Sequence, residues 1–203
     1  MLANVYDSLV QLLAGGRADT LRRATLAAGN LGSGDDVLEV GCGTATLAIR
    51  ARTLVGACAR VTGVDVSASM LAQARRNADR AGVRVELTRG RAERLPLSDA
   101  SFDVVLLSLV LHSLPPDGVG RAIGEAHRVL RAGGRVVVVE FRRSTGPVDR
   151  LKATAMLHGH VAAAAADPGR LLTAGGFAAV VSHPSPLSAL GITAGTRTPT
   201  STT

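Results

Sequence analysis

Glu39, Gly41, Gly43 and Asp65 are the positions whose types and spacing suggest chemistry. Glu39 lies in the apolar run Val37-Leu38-Glu39-Val40, and the glycine turn Gly41-Cys42-Gly43 follows at once. Asp65 closes the next apolar run, Val61-Thr62-Gly63-Val64. A strand, a glycine turn, a helix and a second strand ending in an acid make one nucleotide-binding half-fold. Gly41 can take the backbone angles of a sharp turn. Gly43 lacks a side chain, so a ligand can lie against the main chain. A helix starting near Thr44 would point its unpaired N–H groups at that ligand.

This pattern leaves two cofactor classes open. A dinucleotide fold wants Gly-x-Gly-x-x-Gly, and position 46 is Thr, while Ala45 replaces the third glycine of the turn. A carboxylate at Glu39 repels a pyrophosphate and attracts an ammonium or a sulfonium. S-adenosylmethionine carries both of those cations and no phosphate. Asp65 suits two ribose hydroxyls in either class.

Four segments in order carry a resemblance: Glu39-x-Gly41-x-Gly43, Asp65, Leu95-Pro96-Leu97 followed by Ser101-Phe102-Asp103, and Leu130-Arg131-Ala132-Gly133-Gly134-Arg135. Together they resemble the motifs of class I S-adenosylmethionine-dependent methyltransferases over roughly residues 4–198. Segments 6–23 and 108–112 are similar to the small-molecule branch that includes ubiquinone and menaquinone C-methyltransferases. The resemblance implies an α/β, Rossmann-like, doubly wound, mostly parallel seven-stranded sheet with an antiparallel edge hairpin. It implies S-adenosyl-L-methionine as cofactor. Met70 would pack on the adenine, the alternative being an ordinary core methionine, and Ala92 would offer its backbone N–H to the ring. Relatives carry an acid at the position of Arg91 to accept the adenine amino hydrogen, and an arginine cannot accept. Glu93 could substitute for that acid, but it is two positions removed and is expected to face solvent. The N-terminal segment, residues 1–30, is expected to fold over the site as a helical lid, with Tyr6 a substrate contact.

Ligands of open α/β sheets bind at the carboxyl ends of the strands. Those ends gather Glu39–Gly43, Asp65–Val66, Arg89–Ala92, Ser108–His112 and Glu140–Phe141. The expected cofactor contacts are therefore Glu39, Gly41, Gly43, Asp65, Val66, Met70, Arg91, Ala92 and Ser108. His112 is the first candidate for a base or substrate contact. Glu140 is either a base or a structural acceptor. His158 and His160 lie where relatives place substrate residues, His158 as a catalytic candidate and His160 as a substrate contact. His127 and His183 read as a surface and an edge-loop residue.

Methyl transfer from a sulfonium is a direct displacement, with the nucleophile in line behind the methyl carbon at about 3–3.5 Å. A base is needed only when the acceptor must lose a proton. Position 108–111 has no Asn/Asp-Pro-Pro-aromatic motif of amino-methylating nucleic-acid enzymes, and neither cysteine follows a proline. Ser108 and His112 do not form a hard oxygen cage for Mg²⁺, and no zinc spacing is present, so no metal is expected.

The elements that would hold these residues follow from periodicity. Helices are expected at residues 5–13, 17–28, 67–81, 117–130, 148–166 and 168–174, and strands at 36–40, 61–65, 83–88, 102–108, 135–141, 177–182 and 190–196. The chain has 203 residues and is read as one domain over 1–197 with a loose tail at 198–203. No internal repeat, signal peptide or membrane-length apolar run is read in it. Two cysteines make no disulfide framework, which fits a cytoplasmic protein. The net charge is +7, but 22 of 23 basic residues are scattered arginines and there is no Trp and one Tyr. No specific nucleic-acid partner is expected from that distribution. The function expected is methyl transfer to a small organic acceptor by a monomer or homodimer. The rival is a catalytically idle S-adenosylmethionine-binding module acting through a partner.

Overall fold

The computed structural model describes residues 16–142 and 167–198. Its elements in chain order are α1 (Ala18–Ala28), β1 (Val37–Val40), α2 (Thr46–Val55), β2 (Val61–Asp65), α3 (Ala68–Ala81), β3 (Glu86–Arg89) and β4 (Phe102–Ser108). A short 3-10 turn at Leu111–Ser113 follows, then α4 (Pro116–Val129), β5 (Leu130–Phe141), α5 (Pro168–Ala174), β6 (Phe177–His183) and β7 (Leu190–Arg197). The expected helices at 5–13 and 148–166 lie outside the described residues.

The strands form one seven-stranded sheet in the order β3-β2-β1-β4-β5-β7-β6. β1 pairs in parallel with both β2 and β4, and β7 runs antiparallel to β5 and β6. The expected doubly wound sheet with its antiparallel edge hairpin is therefore present. The strand order reverses between β1 and β4, and that switch point opens a crevice at the carboxyl ends of the strands.

Because successive strand residues face opposite sides, the central strands feed two cores. Val104, Leu106, Val137 and Val139 pack with α1 and α2 on one face. Val105, Leu107, Val136 and Val138 pack with α4 and Leu172 of α5 on the other. Burial on both faces explains why these strands are nearly continuous apolar runs.

Local signals set the ends of the elements near the site. Ser67 caps α3, its hydroxyl accepting from Met70 N at 3.3 Å. Gly82 ends that helix in the left-handed conformation. α2 begins at Thr46, later than the expected Thr44, because Ala45 takes φ +60 and cannot continue helical geometry backwards. β3 starts at Glu86 rather than Val83, since the Val83 N–H goes back to Ala78 O at the helix end. β5 begins at Leu130 rather than Arg135, because Leu130 already pairs with Phe102 before a register shift.

Candidate active site

Gly41 and Gly43 leave β1 with φ of +68 and +52. A Cβ on Gly41 would stand 2.5 Å from Val110 Cγ2, so packing as well as backbone geometry demands glycine there. A Cβ on Gly43 would meet nothing within 4 Å, and it would project into open space. Cys42 between them is buried and packs where a Cβ on Gly63 would touch its Sγ at 2.8 Å. Burial, with Glu39 and Asp65 nearby, pushes the Cys42 thiol far up, so this thiol is inert packing.

Asp65 is held in place from two directions. Gly43 N–H donates to Oδ2 at 2.8 Å, and Ser67 N–H donates to Oδ1 at 2.8 Å. Each carboxylate oxygen keeps acceptor capacity for a ligand hydroxyl.

A cavity of about 410 Å³ lies over these groups. Gly43, Asp65, Met70, Ala92 and His112 are among its lining residues. Its size suits a small-molecule site, which is typically about 300–1,000 Å³. A smaller cavity of about 100 Å³ shares Gly41, Gly43 and Leu109 with it and is lined also by Arg22, Glu39 and Ser108. Leu109 stands between the two at φ +56, a left-handed conformation that costs a non-glycine residue about 1–3 kcal/mol.

Glu39 is 4% exposed, on the face of β1 that meets α1 and α2. Ala48 N–H donates to its Oε2 at 2.8 Å. Burial pushes the Glu39 carboxyl up to about 8, against the Ala48 hydrogen bond and Arg22 and aided by Asp65.

His112, which lines the larger cavity, meets Glu140 across 28 residues of sequence, Nδ1 to Oε1 at 2.9 Å. Glu140 is 3% exposed and also accepts from His112 N at 3.1 Å and from Phe141 N at 3.0 Å. Glu140 thus faces His112 Nδ1 as well as two backbone N–H groups, and the other ring nitrogen, Nε2, is not engaged by it. The Phe141 ring packs edge-to-face on the imidazole, with ring centroids 5.2 Å apart.

Arg91 and Glu93 both line the larger cavity and pair at 2.8 Å. The expectation that Glu93 faces solvent is corrected: its side chain is 7% exposed, turned inward beside Gly118 at the start of α4. Burial pushes its carboxyl up, but its own backbone N–H and Arg91 outweigh that and hold it below the usual range. His127 is not a surface residue either. It is half-buried edge-on to Phe177 at 5.1 Å, and burial lowers its pKa.

Residues 37–134 match a methyltransferase domain family. The chain is 38% identical over 154 residues to the demethylmenaquinone methyltransferase of Thermobifida fusca, covering 74% of this chain and 62% of that protein. It is 34% identical over 154 residues to a ubiquinone/menaquinone biosynthesis C-methyltransferase of Methylobacterium nodulans, covering 74% and 60%. The fold superposes on a SAM-dependent methyltransferase from Thermotoga maritima with a TM-score of 0.71 at 25% identity, over 96% of this chain and 95% of that one.

The chain belongs to the class I S-adenosylmethionine-dependent methyltransferases. It spans about three fifths of the length of the curated relatives described.

The cofactor of this methyltransferase family is S-adenosylmethionine, and the donor set of the site fits it. Gly43 leaves a cradle that a Cβ would fill, the acid on β2 can take ribose hydroxyls, and Glu39 lines the adjoining cavity with Gly41 and Gly43. Of the expected contacts, Gly41, Gly43, Asp65, Val66, Met70, Arg91, Ala92 and His112 line the larger cavity. Glu39 and Ser108 line the smaller one with Gly41 and Gly43. Tyr6, His158 and His160 lie outside the described residues. Sequence reading missed Arg22 as a wall of the smaller cavity. The signal was available: Arg22 stands four residues from Ala18 and from Leu26, both on the buried face of α1.

Proposed function

We propose that the protein transfers a methyl group from S-adenosylmethionine to a small organic acceptor, and that His112, set by Glu140, takes a proton from that acceptor. The observation that carries this reading is a single cavity lined by both Asp65 and His112, with Glu140 hydrogen-bonded to His112 Nδ1. When bound, the cofactor supplies a methyl group on a sulfonium that is open to direct displacement. Asp65 would hold the ribose, Met70 and the Ala92 backbone the adenine, and Glu93, paired with Arg91, would accept from the adenine amino group. His112 Nε2 is the one imidazole nitrogen not engaged by Glu140 and is the base for the acceptor proton.

The curated relatives are named for C-methylation in quinone biosynthesis, and a hydroxylated aromatic ring is the acceptor class we favour. Ring-carbon methylation replaces a C–H by C–CH₃, so one proton must leave, and a base beside the cofactor site serves that step. We further propose a single catalytic domain over 1–197, acting as a monomer or homodimer in the cytoplasm without a specific nucleic-acid partner. Among the described residues, no helix is long and apolar enough to cross a membrane.

Mass-spectrometric detection of methyl transfer to a panel of hydroxylated aromatic acceptors tests the reading. His112→Ala should lower kcat about 10²–10⁴-fold while S-adenosylhomocysteine affinity stays within twofold. Full turnover in that variant would remove His112 from the chemistry.

A further inference from the structure

Residues that oppose each other in neighbouring strands share a face of the sheet. Glu140 opposes Gly191 and Val138 opposes Thr193 in the β5–β7 pairing, and Thr193 opposes Ser182 in the β6–β7 pairing. Val138 belongs to the core that packs with α4 and Leu172 of α5. Glu140, Gly191, Thr193 and Ser182 therefore all lie on the α5 side of the sheet. With Arg142 after β5 and Arg170 of α5, they line a further cavity of about 830 Å³. That volume falls within the range of small-molecule sites, about 300–1,000 Å³.

The polar groups of this cavity are unevenly satisfied. Arg142 is tied at its root: its backbone N–H donates to Ala189 O at 2.8 Å and its Nε to Leu190 O at 3.1 Å. Its two terminal nitrogens have no hydrogen bond among the described residues, and Arg170 has neither a hydrogen bond nor an acid partner there. Both acids of the cavity are already engaged. Glu140 accepts from two backbone N–H groups and meets His112, and Asp167 Oδ1 accepts from Gly169 N–H at 2.9 Å. Thr193 is 5% exposed, yet its hydroxyl has no hydrogen bond among the described residues. A hydroxyl so deeply buried ordinarily has a partner. Two guanidinium groups and one buried hydroxyl are thus left over for a ligand, and a planar guanidinium fork matches a carboxylate. Glu140 ties this cavity to the chemistry, because the carboxyl group that lines it meets His112, which lines the cavity over Asp65.

We propose that this cavity takes the far end of the methyl acceptor, and that Arg142 and Arg170 select an acceptor carrying a carboxylate, to which the Thr193 hydroxyl donates. The inference rests on the methyl-transfer reading above and narrows its acceptor class to hydroxylated aromatic carboxylates.

Methyl transfer to matched pairs of acceptors tests it, each pair a hydroxylated aromatic acid and its methyl ester, with protocatechuate and its ester as the first pair. The wild-type protein should show a kcat/KM about tenfold or more higher for the free acid. Arg142→Gln and Arg170→Gln should each raise KM for the acid about fivefold or more, with kcat within about twofold. The ester should be turned over as before in both variants, which also certifies their fold. Thr193→Val should give a smaller rise in KM, again for the acid only. Equal or better use of the ester by the wild type, or equal losses of acid and ester in both arginine variants, would overturn the proposal. So would methylation of neutral hydroxylated aromatics with none of the acids, and in each of these cases the methyl-transfer reading stands. Transfer to no acceptor of either kind would overturn both.

Discussion

Glu39 carries a pH dependence that belongs to a single carboxyl group. Its pKa rises from an ordinary 4.5 to about 8 because burial disfavours the charged form. The groups facing it are Arg22 from α1, the Ala48 N–H from α2 and Asp65 from β2. Between those two pH values the folded protein holds a proton that the unfolded chain has lost. The stability contribution is therefore fully present below about 4.5 and is lost as pH rises to about 8. An ammonium beside Glu39 would reverse the preference and ionise it. S-adenosylhomocysteine binding at pH 7 is thus expected to release a proton, seen as a binding heat that varies with the ionisation enthalpy of the buffer. Glu39→Gln should abolish that variation. Persistence of the full release in this variant would assign the proton elsewhere.

Residue types alone announced some of the site and hid the rest. Asp65 and the two turn glycines were legible because strand, turn and acid recur at fixed spacing. Glu140 was legible only as one of two alternatives, since its partner His112 is 28 positions away and nothing local joins them. Glu93 was misread because a charged residue near a turn ordinarily faces water, whereas here Arg91 and the edge of α4 enclose it.

The turn between β1 and α2 shows how an element turns glycine spacing into a binding surface. Gly41 is required by its neighbours and Gly43 by the space it leaves. Gly41→Ala would force its Cβ against Val110 at 2.5 Å in a left-handed conformation. Overpacking and backbone strain together should cost about 2–5 kcal/mol, read by urea unfolding. Gly43→Ala meets no protein atom within 4 Å and should cost about 1–2 kcal/mol, the backbone share alone. The same variant should lose at least tenfold in S-adenosylhomocysteine affinity, because its methyl group enters the cradle. Equal stability losses in the two variants would show that Gly43 is a folding position rather than a binding one.

Elements were more legible than their joints. β2, β4 and α5 have the bounds that periodicity and flanking turn residues indicate. The starts of α2, β3 and β5 depend on one left-handed alanine, one helix-end hydrogen bond and one register shift, and apolar patterning records none of these. Arg22 was overlooked for a related reason. A basic pair on an amphipathic helix reads as solvated, and only the helical phase separates the inward Arg22 from the outward Arg23.

Across the whole molecule, strand order and charge distribution define where binding can occur. The reversal between β1 and β4 puts the Asp65 and His112 ends of the sheet around one crevice, which is why residues so far apart in sequence converge. Part of the basic charge behind the net +7 is met by acids among the described residues. Arg131 bridges Asp36 and Asp103 at the amino ends of the strands, Arg128 pairs with Glu125 and Asp99, and Arg121 pairs with Asp117. These arginines tie strand ends and helix faces together. The family and sheet were legible from motif order, whereas the acceptor contacts expected at Tyr6, His158 and His160 lie outside the described residues.

The most direct test of the central claim is calorimetric titration of the purified protein with S-adenosylhomocysteine, with NADH as the control ligand and Asp65→Ala as the control variant. The account predicts saturable binding of S-adenosylhomocysteine, none of NADH, and an affinity about 10–100-fold weaker in Asp65→Ala, since charge-assisted hydrogen bonds contribute roughly 1.5–3 kcal/mol each. Binding of NADH in preference, or an affinity for S-adenosylhomocysteine unchanged in a folded Asp65→Ala protein, would contradict it.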